Sequence, residues 1–376
     1  MQLNIQCYTQ PKNQPVSHYM SSNLFQALTF TRGPEHKNRM FLAPLTNKQS
    51  NDDGTLADDE YNWLVGRAKG GYALTMTCAA HVQACGQGFD GQLGCFGDQH
   101  LKGLTKLATA LKAAGSISSL QLHHAGMRSI DGVGDRVGAS DDDKTKTRAL
   151  TTTEIHQLIE DFTQAALRAQ QAGFDGVEIH GAHGYILSQF LSPTINQRTD
   201  EWGGSLDNRA RIIFYVLDKI RKTCRPDFQI GLRLSPERFG LRLAEIMQIA
   251  QQAMDTGQLD YLDMSLWDVF KQPEEEEFKG QTLMSYFTKL NRGNVRLGVA
   301  GKIMSAQDAS DCLSNGADFV LIGRAGILNK NFPQDVKADS TYTSPATPVT
   351  EAFLRDQDLS KTFITMMHDF NGFVKD

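Results

Sequence analysis

Four times in this chain an amphipathic helical pattern stops at a glycine and gives way to a short apolar run: LATALKAAGSISSLQL, AALRAQQAGFDGVEI, IAQQAMDTGQLDYLDMSL and DCLSNGADFVLIG. Gly115, Gly173, Gly257 and Gly316 stand where a helix C-terminus passes into left-handed backbone, which glycine enters without steric cost. Apolar runs this short, with no polar alternation, read as strands covered on both faces. MFLAP at Met40, YALTMTC from Tyr72, FQIGLRL from Phe228 and VRLGVA from Val295 bring the candidate strands to eight. Eight alternating units predict an α/β fold, a (β/α)8 TIM barrel with its loops on the C-terminal face, over an open doubly wound sheet.

The 376 residues, 40% of them hydrophobic, fit a single large barrel domain with a core from about residue 24 to 331. Beyond it, STYTSPATPVT reads as a surface linker and residues 353–370 as one amphipathic helix. Thr153 and Ser305 stand where helix N-caps belong. Residues 128–149 and 266–280 break the rhythm after two of the strands and are expected as lids, the acidic run Glu274 to Glu277 being a solvated loop.

A formal net charge of -5 without a basic stripe argues against a nucleic-acid partner, and no apolar run approaches a membrane span. The start, MQLNIQCYTQ, lacks the charged and apolar regions of a secretory signal, so a cytoplasmic location is expected. The six cysteines contain no CxxC and read as reduced thiols, and HExxH does not occur, so no metal is expected. A homo-oligomer is compatible with the sequence but not required by it.

Chemistry concentrates where strands end. In GFDGVEIHGAHGYI the strand stops at His180, and Gly181, Ala182 and Gly184 leave room for His183 and Tyr185 to converge with it on a small molecule. One histidine there would more often satisfy backbone, but three such side chains within six positions favour a site. Gly301 and Gly323 follow the seventh and eighth strands, the usual phosphate position of a barrel, and Arg324 adds a guanidinium. Thr46, Gln121 and Arg233 are polar where barrel interiors prefer branched apolar residues. Arg233 reads either as half of an internal ion pair or as a ligand group.

NRMFLAPLTN, LQLHHAG, GFDGVEIHGAHGYILSQFLSP, NQRTDEWGGSLDNR and VLIGR together resemble the old yellow enzyme family of FMN-dependent ene-reductases, from about residue 24 to 331. The resemblance implies noncovalent FMN, reduced by NADH or NADPH, that passes hydride to an activated alkene such as an enone or nitroalkene. Alternatives are a quinone or nitro-compound reductase using the same site, and a flavin-binding sensor with incidental turnover. Carried over, it makes Ala43, Pro44, Thr46, Ala79, Gln121, Arg233, Gly301, Gly323 and Arg324 flavin contacts. His180 and His183 become the pair that grips the substrate's activating oxygen, and Tyr185 the proton donor. Residues 196–209 are expected to brace the loop rather than touch substrate. Cys78 departs from the family, which commonly has a glutamate after the second strand.

Overall fold

A computed structural model describes residues 23–375. Cys7 and the rest of the N-terminal segment lie outside the described residues. Eight parallel strands close into a barrel: β1 Met40–Leu42, β2 Leu74–His81, β3 Ile117–His123, β4 Gly176–Gly181, β5 Gln229–Leu234, β6 Tyr261–Ser265, β7 Arg296–Ala300 and β8 Phe319–Ile322. Each pairs with its sequence neighbours, and β8 closes on β1 through Met40 opposite Val320. The eight strands are the eight apolar runs of the sequence. Helices α1 Asp58–Lys69, α2 Leu101–Ala113, α3 Thr152–Gln171, α4 Leu206–Thr223, α5 Leu243–Asp255, α6 Leu283–Thr288 and α7 Ala306–Ser314 connect them. The four stop glycines take φ of +73°, +93°, +67° and +100°, as helix C-termini require.

The barrel interior is layered. At its N-terminal end Phe30, His36, Phe41, Tyr261 and Phe319 form an aromatic plug, with Phe41 and Phe319 stacked at 4.3 Å. Gly231 and Gly298 make room for it, since a Cβ on either would lie within 2.2 Å of the Tyr261 or Phe319 ring. Above the plug lies a polar layer of Gln121, Glu178, Arg233 and Asp263, all buried. The C-terminal mouth lies above that.

The register of β2 shifts at Thr77 and Cys78: Met76 faces Ser119, but Ala79 faces Gln121. The extra residue swings Ala79 toward the mouth beside Gln121. Cys78 is buried outside the barrel near Glu60, whose carboxyl contributes to raising the thiol's pKa after burial itself.

Three expectations change. The N-cap of α3 is Thr151, two residues before the expected Thr153: its side chain accepts from Glu154 N while Glu154 caps back. The pattern around Thr153 is already helical, and the capping box with glutamate three residues on fixes the true start. Ser305 does cap α7, with a capping box through Asp308. The single C-terminal helix is two, α8 Glu351–Asp356 and α9 Lys361–His368, separated where Asp358 takes φ +63°. The acidic run is only partly a solvated loop, because Glu275 accepts from Leu243 N at 2.6 Å and so caps α5, whose own N-cap residue Arg242 makes no side-chain cap.

Candidate active site

The turn leaving β4 builds the centre. His180, the penultimate residue of the strand, faces Arg233 on β5. His183 then takes φ +62° and Gly184 +70°, reversing the chain so that Tyr185 begins the short helix Ile186–Leu191. Left-handed backbone is costly for a histidine, and neighbours on both sides hold it. Its N–H donates to Ser235 Oγ at 3.0 Å, and its carbonyl accepts from Arg128 Nη1 at 2.6 Å. The same guanidinium lies 4.7 Å from the Tyr185 ring centre. Gly184 is constrained by space as well, since a Cβ there would lie 2.8 Å from the Phe239 ring.

The imidazoles form a chain. His123 Nδ1 and His180 Nδ1 are 3.0 Å apart, His180 Nε2 and His183 Nδ1 2.9 Å, and His183 Nε2 and Ser265 Oγ 2.7 Å. Each neutral ring has one donor and one acceptor nitrogen, so choosing the tautomer of one ring fixes the other two. Burial is the main reason the pKa of all three is low: His123 and His180 lie well below 6.5, and His183 falls to about 3. The cations Arg128 and Arg233 push the same way. The chain is therefore uncharged at neutral pH and offers N–H donors rather than imidazolium ions.

Beneath it, Gln121 Nε2 donates to Glu178 Oε1 at 2.7 Å, leaving the other amide hydrogen and the carbonyl for the space above. Arg233 Nε lies 3.1 Å from Asp263 Oδ2, so the internal ion pair and the ligand group of the two sequence readings coexist in one side chain. That contact is an ion pair by distance, without the alignment of a hydrogen bond. Two buried acids share this cation. Burial and the neighbouring Asp263 carboxylate raise Glu178 to about 8, while burial alone raises Asp263 to about 6 and Arg233 pulls it down. Glu178 is pushed further than Asp263 toward its protonated form, which leaves Asp263 as the carboxylate paired with the Arg233 cation.

A cavity of about 420 Å³ opens over this floor. Pro44, Thr46, Ala79, Gln121, Arg233 and Arg324 line it together with His180, His183 and Tyr185. Ala43, Gly301 and Gly323 stand at the ends of β1, β7 and β8, outside its wall. A Cβ on Gly301 would strike the backbone of Trp267 and Asp268, so a neighbouring loop already demands that glycine. One on Gly323 meets only Leu45, at 3.9 Å, which leaves its backbone open to a ligand. A second groove, of about 840 Å³, adds Lys302 and Trp267 and shares Arg324, Ile327, Met367 and Phe370 with the first.

These residues fit flavin mononucleotide. The floor carries hydrogen-bonding groups for a flat polar ring edge, and among the described residues the Arg324 side chain makes no ion pair or hydrogen bond. A guanidinium with no acid partner, beside the open backbone of Gly323, suits a phosphate.

Several residues at or behind the cavity wall carry no sequence signal of their own. His123, within LQLHHAG, is the exception: its place two residues after Gln121 on a strand puts it on the same barrel face. Arg128, Ser235 and Ser265, which orient His183, carry no local signal. Met366, Met367 and Phe370 come from the C-terminal segment and reach the cavity only through the tertiary fold. Residues 196–209 brace the loop as expected: Asn196 Nδ2 donates to the carbonyls of Phe190 and Trp202 at 2.8 Å, and Arg209 pairs with Glu245 at 2.7 Å.

A parallel barrel with a phosphate-suited arginine and a neutral histidine chain at its mouth belongs to the flavin-dependent oxidoreductases in architecture and chemistry. The chain belongs to the NADH:flavin oxidoreductase / NADH oxidase family, whose family model matches residues 23–342. It is 36% identical over 327 residues to a probable NADH-dependent flavin oxidoreductase, YqiG, of Bacillus subtilis, covering 84% of this chain and 87% of that one. It is 34% identical to an NADH:fumarate oxidoreductase of Klebsiella pneumoniae over 85% of this chain, but spans only 36% of that longer protein. Among solved structures, the old yellow enzyme homologue of Zymomonas mobilis matches with a TM-score of 0.76 at 25% identity, over 88% of this chain and 96% of that one. Morphinone reductase in complex with tetrahydroNAD matches with a TM-score of 0.73 at 28% identity, over 88% and 94% of the two chains. The protein is an NAD(P)H-dependent flavin oxidoreductase of the old yellow enzyme type with FMN as its cofactor. Among the described residues no helix is long and apolar enough to cross a membrane.

Proposed function

We propose that the protein reduces alkenes activated by a carbonyl or nitro group. The observation that carries this reading is the pair of facing nitrogens, His180 Nε2 and His183 Nδ1, 2.9 Å apart on the wall of the cavity that Tyr185 also lines. Bound FMN supplies a hydride taken from NADH or NADPH. Gln121, Arg233, Pro44, Thr46 and Ala79 would hold its ring system, and Arg324 with the backbone of Gly323 would hold its phosphate, while Ala43 and Gly301 would shape the strand ends around it.

The two histidine nitrogens hydrogen-bond to one another. A substrate oxygen replaces that bond; His180 donates from Nε2, and His183 donates from Nδ1 in the tautomer whose Nε2 accepts from Ser265 Oγ, so both N–H groups stabilise the negative charge that develops on the oxygen as hydride reaches the β-carbon. Neutral imidazoles suit this step, because they donate without adding a full charge to a buried site. Tyr185 Oη gives its proton to the α-carbon and recovers one from solvent. Flavin binding alone requires none of these three side chains, which weighs against a sensor with incidental turnover. Quinone or nitro-compound reduction uses the same oxygen-binding pair and is the second reading.

His180→Ala/His183→Ala tests the assignment. The double variant is expected to lose the long-wavelength charge-transfer band that phenols give with bound flavin and to reduce cyclohexenone at least about a hundredfold more slowly, with the nicotinamide half-reaction less affected. Unchanged phenol affinity would refute it.

A further inference from the structure

The loops after β5 and β6 meet at the mouth in a shape that the hydride-transfer site does not account for. Arg238, Phe239 and Gly240 are three consecutive left-handed residues, with φ of +70°, +53° and +73°, and Trp267 across from them has φ +66°. Bulky side chains seldom adopt this backbone, and it persists only where surroundings enforce it. They do so here. The buried Glu237 accepts from Glu274 N at 2.8 Å and pairs with Lys271 Nζ, which ties the two loops together. Gly301 packs against the Trp267–Asp268 backbone from below.

The enforced turn shows solvent what a fold would ordinarily hide. Trp267 is 60% and Phe239 36% exposed, and the Arg238 guanidinium lies 4.7 Å from the first ring and 5.9 Å from the second. Neighbouring cations are committed: Lys302 to Asp268, and Lys271 to Glu237 and Glu274. Among the described residues the Arg238 side chain has no acid partner and no hydrogen bond. The platform also joins both halves of the site, with Phe239 packed on Gly184 beside Tyr185 and Trp267 lining the groove that holds Lys302 and Arg324.

We propose that Trp267, Arg238 and Phe239 bind the adenosine diphosphate half of the nicotinamide donor. A cavity of about 420 Å³, shared with a flavin ring, admits the donor's nicotinamide end and leaves its other half at the mouth. That half is a flat aromatic base joined to a diphosphate. Exposed aromatic faces stack on the base, and an unpaired guanidinium between them meets the diphosphate with paired charge-assisted hydrogen bonds. The enforced backbone preorganises the platform, so little ordering is left to be done on binding.

The test compares two donors on the holoenzyme by anaerobic stopped-flow: NADH, and reduced nicotinamide mononucleotide, which lacks the adenosine half. Wild type is expected to bind NADH at least about tenfold more tightly than the mononucleotide. Arg238→Ala/Trp267→Ala should erase most of that difference by weakening NADH alone, with the limiting rate of flavin reduction preserved. ADP-ribose titrated calorimetrically into holoenzyme should bind wild type and lose affinity about tenfold or more in the double variant. Unchanged NADH affinity, unchanged ADP-ribose affinity, or an equal loss for the mononucleotide would each overturn the proposal. So would a raised KM for cyclohexenone with NADH affinity intact, which would assign the platform to the alkene. The inference rests on a nicotinamide donor. Wild-type flavin that neither donor reduces would remove that premise, a result distinct from reduction without discrimination.

Discussion

Tyr185 meets His123 edge-on, with ring centres 4.4 Å apart, and lies beneath the Arg128 guanidinium. In the proposed mechanism its hydroxyl acts only once hydride has reached the β-carbon. Tyr185→Phe is therefore expected to leave phenol binding and flavin reduction intact and to slow cyclohexenone reduction by about a hundredfold or more. Nitrostyrene should suffer less and quinones least, since a stabilised carbanion or an oxygen takes its proton from water. Half-reaction rates with the three oxidants check this ordering, and an unchanged cyclohexenone rate would remove Tyr185 from the mechanism. The histidines make a second prediction. With burial holding His183 at about 3 and His180 well below 6.5, neither is charged at neutral pH. The pH profile of flavin reoxidation by cyclohexenone should show no imidazole inflection, and a loss of rate centred near 6.5 would mean that the chain charges in solution.

At the scale of elements, one short helix bears on the proposed cofactor site and one long helix on stability. Arg324 opens the helix Arg324–Leu328 directly after Gly323 and lines both cavities. Arg324→Ala should weaken FMN binding by roughly 10- to 100-fold, the worth of a charged hydrogen bond or two, measurable by fluorescence titration of apoprotein. Helix α3 gives a stability test. Thr151→Ala breaks its capping box and should cost about 1 kcal/mol in urea unfolding, whereas Thr153→Ala, already inside the helix and exposed, should stay within about 0.5 kcal/mol. Equal costs would mean that the cap makes no measurable contribution.

Across the whole molecule, buried titratable groups set a pH optimum for stability. Seven histidines, His36, His81, His100, His123, His124, His180 and His183, have folded pKa values lowered below 6.5, burial being the first cause in each. Below 6.5 the unfolded chain binds protons that the fold refuses, so their stabilisation is present above that pH and lost as pH falls, at up to about 1.4 kcal/mol per pH unit for each. Four buried acids, Glu60, Glu178, Asp260 and Asp263, are raised and act in the opposite direction. Glu178, at about 8, keeps a proton that the unfolded chain has already released, so stability declines as pH climbs toward 8. Thermal unfolding should therefore peak near pH 6.5, and Glu178→Gln should flatten the alkaline side. A melting temperature that keeps rising through pH 8 would contradict the assignment.

The sequence by itself determined the eight strands, their order and parallel sense, and the convergence of His180, His183 and Tyr185. These follow from local causes: apolar runs too short for helices, glycine stops, and a turn whose residues are adjacent in the chain. It also marked Gln121, Arg233 and Arg324, because polar side chains at strand ends of a barrel have few other places to go. Only the tertiary structure decided that Ala79 reaches the cavity, since one extra residue in β2 changes which side chains point inward. It decided that Arg233 both pairs with Asp263 and lines the site, because that pairing joins neighbouring strands thirty residues apart. It brought Ser235, Ser265 and Arg128 to His183, and Met366, Met367 and Phe370 to the mouth, by contacts between segments far apart in the chain. Such contacts are set by barrel closure and loop packing, which hydrophobic periodicity does not encode.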